Sequence, residues 1–262
     1  MSTTFAVLGA RGGTGSHLVR ALLSHPATTV TKVQAIVRNP NSINEENWST
    51  DDRVEIIAGD VTEISTLNFS NIDSVFFACA GKGYEAAQRV DRDGVLAVAK
   101  KCQENGVRRM VLVSSGLVDP STNKWSFIRG ILNTINTGLF HYKGMMDFKF
   151  EGEELLRSSG QSYTIVRPGR LGDGVRDLKK SVPCCGQTNA GWLNGSVVNR
   201  ETLAHVCVDA AMSEHAADVT FELGTQAPDS EDVDYSAAIF LGLVTDSNRR
   251  NDVDSGVTTT CE

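Results

Sequence analysis

Hydrophobic positions along the chain fall into short unbroken runs separated by stretches in which apolar residues recur every three or four positions. The first run, Phe5, Ala6, Val7 and Leu8, predicts a buried strand, and Leu18, Val19, Leu22 and Leu23 then repeat at helical spacing. Further strands are predicted over 32–38, 54–63, 74–81, 110–116 and 163–169. The 74–81 run is almost wholly apolar, as a strand buried on both faces should be. Helices are predicted over 90–105 and 143–158. Strand and helix alternate regularly, which predicts right-handed βαβ units and an α/β fold with a doubly wound parallel sheet.

The pattern breaks between 119 and 138. A Pro-Ser turn precedes an apolar helical stripe containing Trp125, Phe127, Ile128, Ile131, Leu132 and Ile135. Lying past a strand's carboxyl end, this segment is expected either to cover a ligand as a lid or to pack on the core. Residues 172–195 are rich in Gly and polar residues and predict a loop near the sheet's open edge. A short strand over 196–199, a helix over 201–213, a strand over 220–223 and one more helix over 237–243 complete the expected domain, 1–245. The remaining 246–262 has almost no apolar content and is expected to be a disordered tail.

Charge changes this picture in one respect. The formal net charge is −7, but after Gly224 eight acids stand against only Arg249 and Arg250, so the acidic balance lies at the C-terminal end. No basic stripe of the kind nucleic acid requires is present. No apolar run approaches the roughly 20 residues that span a bilayer, and no signal-peptide or transit pattern opens the chain. A cytoplasmic protein is therefore expected, with an organelle left open. The six cysteines (79, 102, 184, 185, 207 and 261) show no framework spacing and predict free thiols. The five histidines show no ligand spacing, so no metal site is predicted.

Candidate chemistry begins at the first turn. Gly9, Gly12 and Gly15 form a G-x-x-G-x-x-G series between strand and helix, with Gly13 as an extra. Gly9 permits a sharp exit from the strand, Gly12 close approach of backbone to a pyrophosphate, and Gly15 helix–sheet packing. A helix starting near Thr14 aims its N–H groups at that phosphate. In a doubly wound sheet the ligand lies beyond the strands' carboxyl ends, which gathers Arg38, Asp60 and Val61, 78–81 (with Ala78, Ala80 and Gly81), Ser114 and Ser115, and Pro168 and Gly169. Arg38 ends the second strand, where an acid would hold the ribose 2′-hydroxyl of NAD; a guanidinium there suits a 2′-phosphate, so NADP(H) is expected. Arg11 would stack on adenine or add charge. Asp60 would accept from the adenine amino group or cap the following helix. The serines would hold a substrate carbonyl or the carboxamide of nicotinamide, or simply end a strand.

The segments GARGGTG, AIVRNP, GDVTE, VDRDGVLAVAKKCQENGVRRMVLVSS and GEELLRSSGQSYTIVRPGRLGDG together resemble the atypical short-chain dehydrogenase/reductase group. More narrowly, they are similar to its NAD(P)-binding, NmrA-like and flavin/biliverdin-reductase-like members. The resemblance implies a Rossmann-like fold binding NADP(H), and it places Ser115 and Lys149 at the family's serine and at the lysine of its Tyr-x-x-x-Lys motif. The chain departs from the motif, because Met145 stands four residues before Lys149 where the tyrosine belongs. The usual proton donor is thus missing, while Lys149 remains able to bind the nicotinamide ribose. The expected activity is reduction by NADPH of a conjugated small-molecule acceptor, flavin- or quinone-like, whose delocalised charge lets water donate the proton. The alternative is a non-catalytic NADP(H)-binding sensor or assembly factor of the NmrA-like kind, and an epimerase or dehydratase, which also needs the tyrosine, ranks last. A monomer or weak dimer is expected.

Overall fold

The computed structural model describes residues 3–42, 48–121, 126–137, 143–173, 182–187, 197–226 and 239–249. In chain order the elements are β1 (Thr3–Leu8), α1 (Gly13–Leu23), β2 (Val30–Val37), β3 (Val54–Ala58), β4 (Ser74–Phe77), α2 (Tyr84–Ala87), a π-helical stretch (Gln88–Gly94), α3 (Val95–Glu104), β5 (Arg109–Val113), α4 (Ser126–Thr137), α5 (Met145–Ser158), β6 (Tyr163–Pro168), β7 (Arg170–Gly172), β8 (Val182–Gly186), β9 (Val197–Asn199), α6 (Arg200–Met212) and β10 (Val219–Gln226). Eight strands form one sheet in the order β3-β2-β1-β4-β5-β6-β10-β8, and β7 pairs with β9 separately. Every pairing in the large sheet is parallel except that of β8 with β10. This is the doubly wound, Rossmann-like α/β architecture expected from the alternation of runs.

The alternation works because each central strand offers apolar side chains to both faces. Phe5 and Val7 of β1 join one core, which receives Leu18 and Leu22 of α1 and Leu203 and Cys207 of α6. Ala6 and Leu8 join the other, against Val95, Val98 and Cys102 of α3 and Leu156 of α5. Direction reverses between β1 and β4: β2 and β3 lie to one side of β1, and β4, β5 and β6 to the other. At that reversal the carboxyl ends of neighbouring strands diverge and leave a crevice.

Several expected elements differ. Residues 182–186, read as loop, form β8, which pairs antiparallel with β10 in a register that sets Cys185 opposite Leu223. Pro183 lies within this strand, as an edge strand tolerates a missing N–H. The strand expected over 54–63 stops at Ala58, and the helix expected from Val90 is split by the π-helical stretch. Within the helix expected over 237–243, residues 239–242 are turns, with Gly242 at φ +86°, and Phe240 packs at 5.8 Å on Phe221. The start of the expected tail is also ordered: residues 246–249 are helical and docked. Trp125 of the expected stripe, most of 174–195, residue 196, residues 237–238 of the expected last helix and 250–262 lie outside the described residues.

Docking of this C-terminal turn depends on one carboxylate. Asp246 is buried, and its Oδ2 accepts from Arg157 Nε at 3.0 Å, Tyr163 OH at 3.0 Å and Thr220 Oγ1 at 2.6 Å. Thr220 N donates to Oδ1 at 3.0 Å, and Arg249 donates to the carbonyl of Gln187 at 2.9 Å. Burial alone would raise the Asp246 pKa; Arg157 beside it and the hydroxyl donors outweigh that and hold it below its ordinary value. Composition missed this contact because a single well-bonded acid contributes no apolar signal.

Candidate functional site

The glycine turn is built by close approach. Gly9 has φ +77°, which side-chain-bearing residues rarely adopt. A Cβ on it would meet the Ala78 carbonyl of β4's end at 2.9 Å. A Cβ on Gly15 would lie 2.1 Å from the Gly9 carbonyl, so α1 can start this close to β1 only because residue 15 has no side chain. Gly9 N donates to Ile36 O at 3.1 Å and Gly12 N to Gly9 O at 2.8 Å, tying the turn to β2. Gly12 is the N-cap of α1 and no side chain caps the helix, so the first-turn N–H groups, from Gly13 and Thr14 onward, are left for an anion.

Beyond this turn, at the reversal between β1 and β4, lies a cavity of about 660 Å³. Gly9, Arg11, Gly12, Arg38, Asp60, Val61, Ala78 and Ala80 line it, bringing together residues from the ends of β1, β2, β3 and β4 as expected from their places along the chain. Cys79, within the expected 78–81 segment, lines it as well, and so do Asn39, Thr62 and Arg89, which were not anticipated. Arg89 belongs to the π-helical stretch; in sequence it is one charge among several in a helix, and only the tertiary packing shows which way it faces. Arg11, Arg38 and Arg89 are all exposed, and none of their side chains makes a hydrogen bond or ion pair among the described residues. Three unpaired guanidinium groups around one cavity favour a polyanion.

Asp60 Oδ1 accepts from Thr62 N and Thr62 Oγ1, both at 2.8 Å. This short turn fixes the carboxylate at the cavity and does not cap an α-helix. Burial pushes the Cys79 thiol up to about 12, the Asp91 and Asp60 charges add to that, and Arg38 and Lys149 oppose it.

The remaining candidates lie outside the cavity lining. Ser115 is half-buried just past β5. Ser114 is buried, and its hydroxyl donates to Glu153 Oε1 at 2.5 Å, which commits it to the protein interior. The main-chain groups of the β6 end are also committed: Pro168 O accepts from Gly116 N at 2.9 Å and Gly169 N donates to Leu223 O at 3.0 Å. Gly81 N donates to Asp91 Oδ2 at 3.0 Å, and a Cβ on Gly81 would strike the Ala86 carbonyl at 2.1 Å. Lys149, on α5, pairs through Nζ with Asp91 Oδ1 at 2.7 Å. Met145 opens that helix, half-buried, one turn before Lys149.

Beside α5 lies a buried polar cluster that sequence reading missed. Glu153 is fully buried, receives Arg167 Nη2 at 2.6 Å and Arg157 Nη2 at 2.9 Å, and accepts the Ser114 hydroxyl. Burial would raise its pKa, but the two arginines and the bonds they donate prevail and lower it. Glu153 and Arg157 are an i, i+4 pair on α5, a local pattern, whereas nothing near Arg167 in the chain marks its partner.

The segment after β5 is arranged against its own amphipathicity. Arg129 donates to the carbonyl of Val118 and pairs with Asp147, and Asn133 bonds both Asp147 Oδ2 at 2.8 Å and Met146 N at 2.8 Å. The polar side of α4 therefore seats on the start of α5, while Phe127 (79% exposed), Ile131 (41%) and Ile135 (73%) face outward. Ile128 and Leu132 of the same stripe are half-buried, so the stripe is turned to solvent only in part.

A family model described as NAD(P)H-binding matches residues 9–214. An uncharacterized chloroplastic protein of Arabidopsis thaliana is 28% identical over 228 residues, covering 84% of this chain and 76% of the relative. A sanguinarine reductase of Eschscholzia californica is 24% identical over 219 residues, covering 82% and 74%. Among solved structures, a short-chain dehydrogenase/reductase of Veillonella parvula in complex with NADP superposes with a TM-score of 0.63 at 17% identity, covering 90% of this chain and 98% of that one. Among the described residues, no helix is long and apolar enough to cross a membrane.

Proposed function

Because the chain belongs to the NAD(P)H-binding family, we propose that it is an NADPH-dependent oxidoreductase acting on a conjugated small-molecule acceptor. The observation that carries this reading is the cavity at the β1–β4 reversal, where an uncapped helix start meets three arginines whose side chains are unpaired among the described residues. Gly9, Gly12, Gly13, Thr14 and Gly15 would seat the pyrophosphate through main-chain N–H groups. Arg38, with Arg89 and Arg11 beside it, would grip the 2′-phosphate, and Asp60 would accept from the adenine. Lys149 would hold the nicotinamide ribose and Ser115 would orient the acceptor. When bound, the cofactor supplies hydride.

The absence of a tyrosine at 145 selects the acceptor. An alkoxide left by a simple ketone would need a proton that Met145 cannot give. A flavin, quinone or similar acceptor spreads its charge, so orientation and exclusion of water are what the protein must supply. The outward stripe of α4, just past β5, offers an apolar surface for such a ring system. That a relative is named a sanguinarine reductase agrees with reduction of a small molecule.

The decisive experiment is NADPH oxidation with flavin and quinone acceptors, with Arg38→Ala as control. Turnover that is lost on raising KM for NADPH in the variant supports the reading; no turnover on any acceptor removes the enzymatic part. One observation favours a second reading, a non-catalytic NADP(H)-responsive binding protein: the exposed Phe127, Ile131 and Ile135 resemble a partner-binding stripe as much as a lid. Protein partners that change with cofactor, without NADPH consumption, would select it.

A further inference from the structure

Asp91 lies in the 90–115 segment that carries the family resemblance but is not among the candidate site residues; it is 3% exposed and both of its oxygens are used. Oδ2 accepts the Gly81 N–H at 3.0 Å and Oδ1 the Lys149 ammonium at 2.7 Å. A buried carboxylate is costly unless paired, and a buried ion pair is weak grounds for stability. What distinguishes this pair is what it joins. Gly81 ends the 78–81 segment, in which Ala78, Cys79 and Ala80 line the cavity, and Val90, adjacent to Asp91, lines it too. Lys149 is the residue at the family's lysine position.

The backbone is built for this contact. Asp91 sits in the π-helical stretch Gln88–Gly94, a rare conformation that concentrates at functional sites. α5 approaches so closely that a Cβ on Gly152 would lie 2.0 Å from the Asp91 carbonyl. Tyr84 packs edge-on against Phe148 at 5.1 Å, and Arg92 lies over the same ring at 5.9 Å, closing the contact on either side of the ion pair.

We propose that Asp91 is a positioning residue for the nicotinamide half of the cofactor site, fixing the Lys149 ammonium relative to the 78–81 segment. This rests on the reading of Lys149 as the ribose-binding group. Through the same stretch, Arg89 faces the adenosine end while Asp91 serves the other, so one short helix aligns both halves of the dinucleotide.

The test is calorimetric binding of two probes, NADP+ and adenosine bisphosphate (the adenosine half alone, carrying the 2′-phosphate), to wild type, Asp91→Asn, Lys149→Met and the double variant, with thermal melts alongside. Asparagine preserves the oxygen that accepts from Gly81 and places an amide nitrogen against the ammonium. Asp91→Asn should weaken NADP+ by roughly tenfold and leave adenosine bisphosphate unchanged. The double variant should bind NADP+ no worse than Lys149→Met. Asp91→Glu, which keeps the charge but displaces the ammonium, should show the same selective loss to a smaller degree and carries the test if the asparagine variant does not fold. Equal weakening of both probes, or wild-type binding of both by Asp91→Asn while Lys149→Met loses NADP+, overturns the proposal alone. If Lys149→Met binds both probes normally, the reading of Lys149 falls and the proposal with it; if wild type binds neither, the cofactor reading itself fails.

Discussion

Arg38, Arg11 and Arg89 present three guanidinium groups to one cavity, and single replacements should rank their contributions. Arg38→Ala is expected to weaken NADPH by roughly ten- to a hundredfold, the cost of losing charge-assisted hydrogen bonds. NADH should change little, and the ratio of the two KM or Kd values is the measurement. Arg89→Ala should move the same ratio in the same direction by a smaller factor. Glycine substitutions test the turn in a different way. Gly15→Ala forces a Cβ to within 2.1 Å of a main-chain oxygen, which no rotamer change can relieve. Overpacking of about 1–3 kcal/mol is expected, readable by chemical denaturation, together with loss of cofactor binding. Of these residues, Arg38 and the glycines were legible in the sequence, because a strand end and a turn are local features. Arg89 was not, since its direction depends on a π-helical turn that no periodicity announces.

Two elements behave differently from their sequence patterns. The stripe Phe127, Ile131, Ile135 of α4 would normally be a core face, but Arg129 and Asn133 hold the opposite side against α5. Replacing Phe127 and Ile135 by Ser should therefore change stability by no more than about 0.5 kcal/mol, as for exposed positions. Under the lid reading the same variant should lose turnover with apolar acceptors while its melting temperature stays put. The C-terminal turn reverses the case: its sequence reads as solvent-exposed tail, yet Asp246 is a buried acceptor for three side chains. Asp246→Ala would leave Arg157 and two hydroxyl groups short of a partner, and a loss of about 3 kcal/mol is expected from breaking a buried pair, measured by urea unfolding. Composition cannot detect such docking, because what holds it is the geometry of a few bonds.

At the scale of the whole molecule, acid should be the solvent change that reveals the buried polar cluster. Glu153 and Asp246 ionise more readily in the folded chain than in the unfolded one. The stability they contribute is complete above the unfolded carboxylate range, near pH 4–4.5. It is lost progressively as pH falls through the lower folded values. Melting temperature should thus hold steady down to that range and fall steeply below it, and the fall should be shallower in Asp246→Ala. Cofactor should act on the same quantity: at a hundredfold excess over Kd, NADPH is expected to add about 2.7 kcal/mol to unfolding, and the ten- to hundredfold weakening in Arg38→Ala should remove about 1.3–2.3 kcal/mol of that increment at the same concentration.

The sequence by itself determined the alternation of strand and helix, the glycine turn between the first of each, and the arginine that ends the second strand. These follow from residues close together in the chain, where side-chain period and backbone freedom act locally. Tertiary structure alone decided the pairing of Lys149 with Asp91, 58 residues away, and of Arg157 with Asp246, 89 residues away. It also decided that α4 turns Phe127, Ile131 and Ile135 outward and that β8 adds an antiparallel edge. Buried charges choose partners by which helices and strands come to pack together, and that choice is made by the fold as a whole.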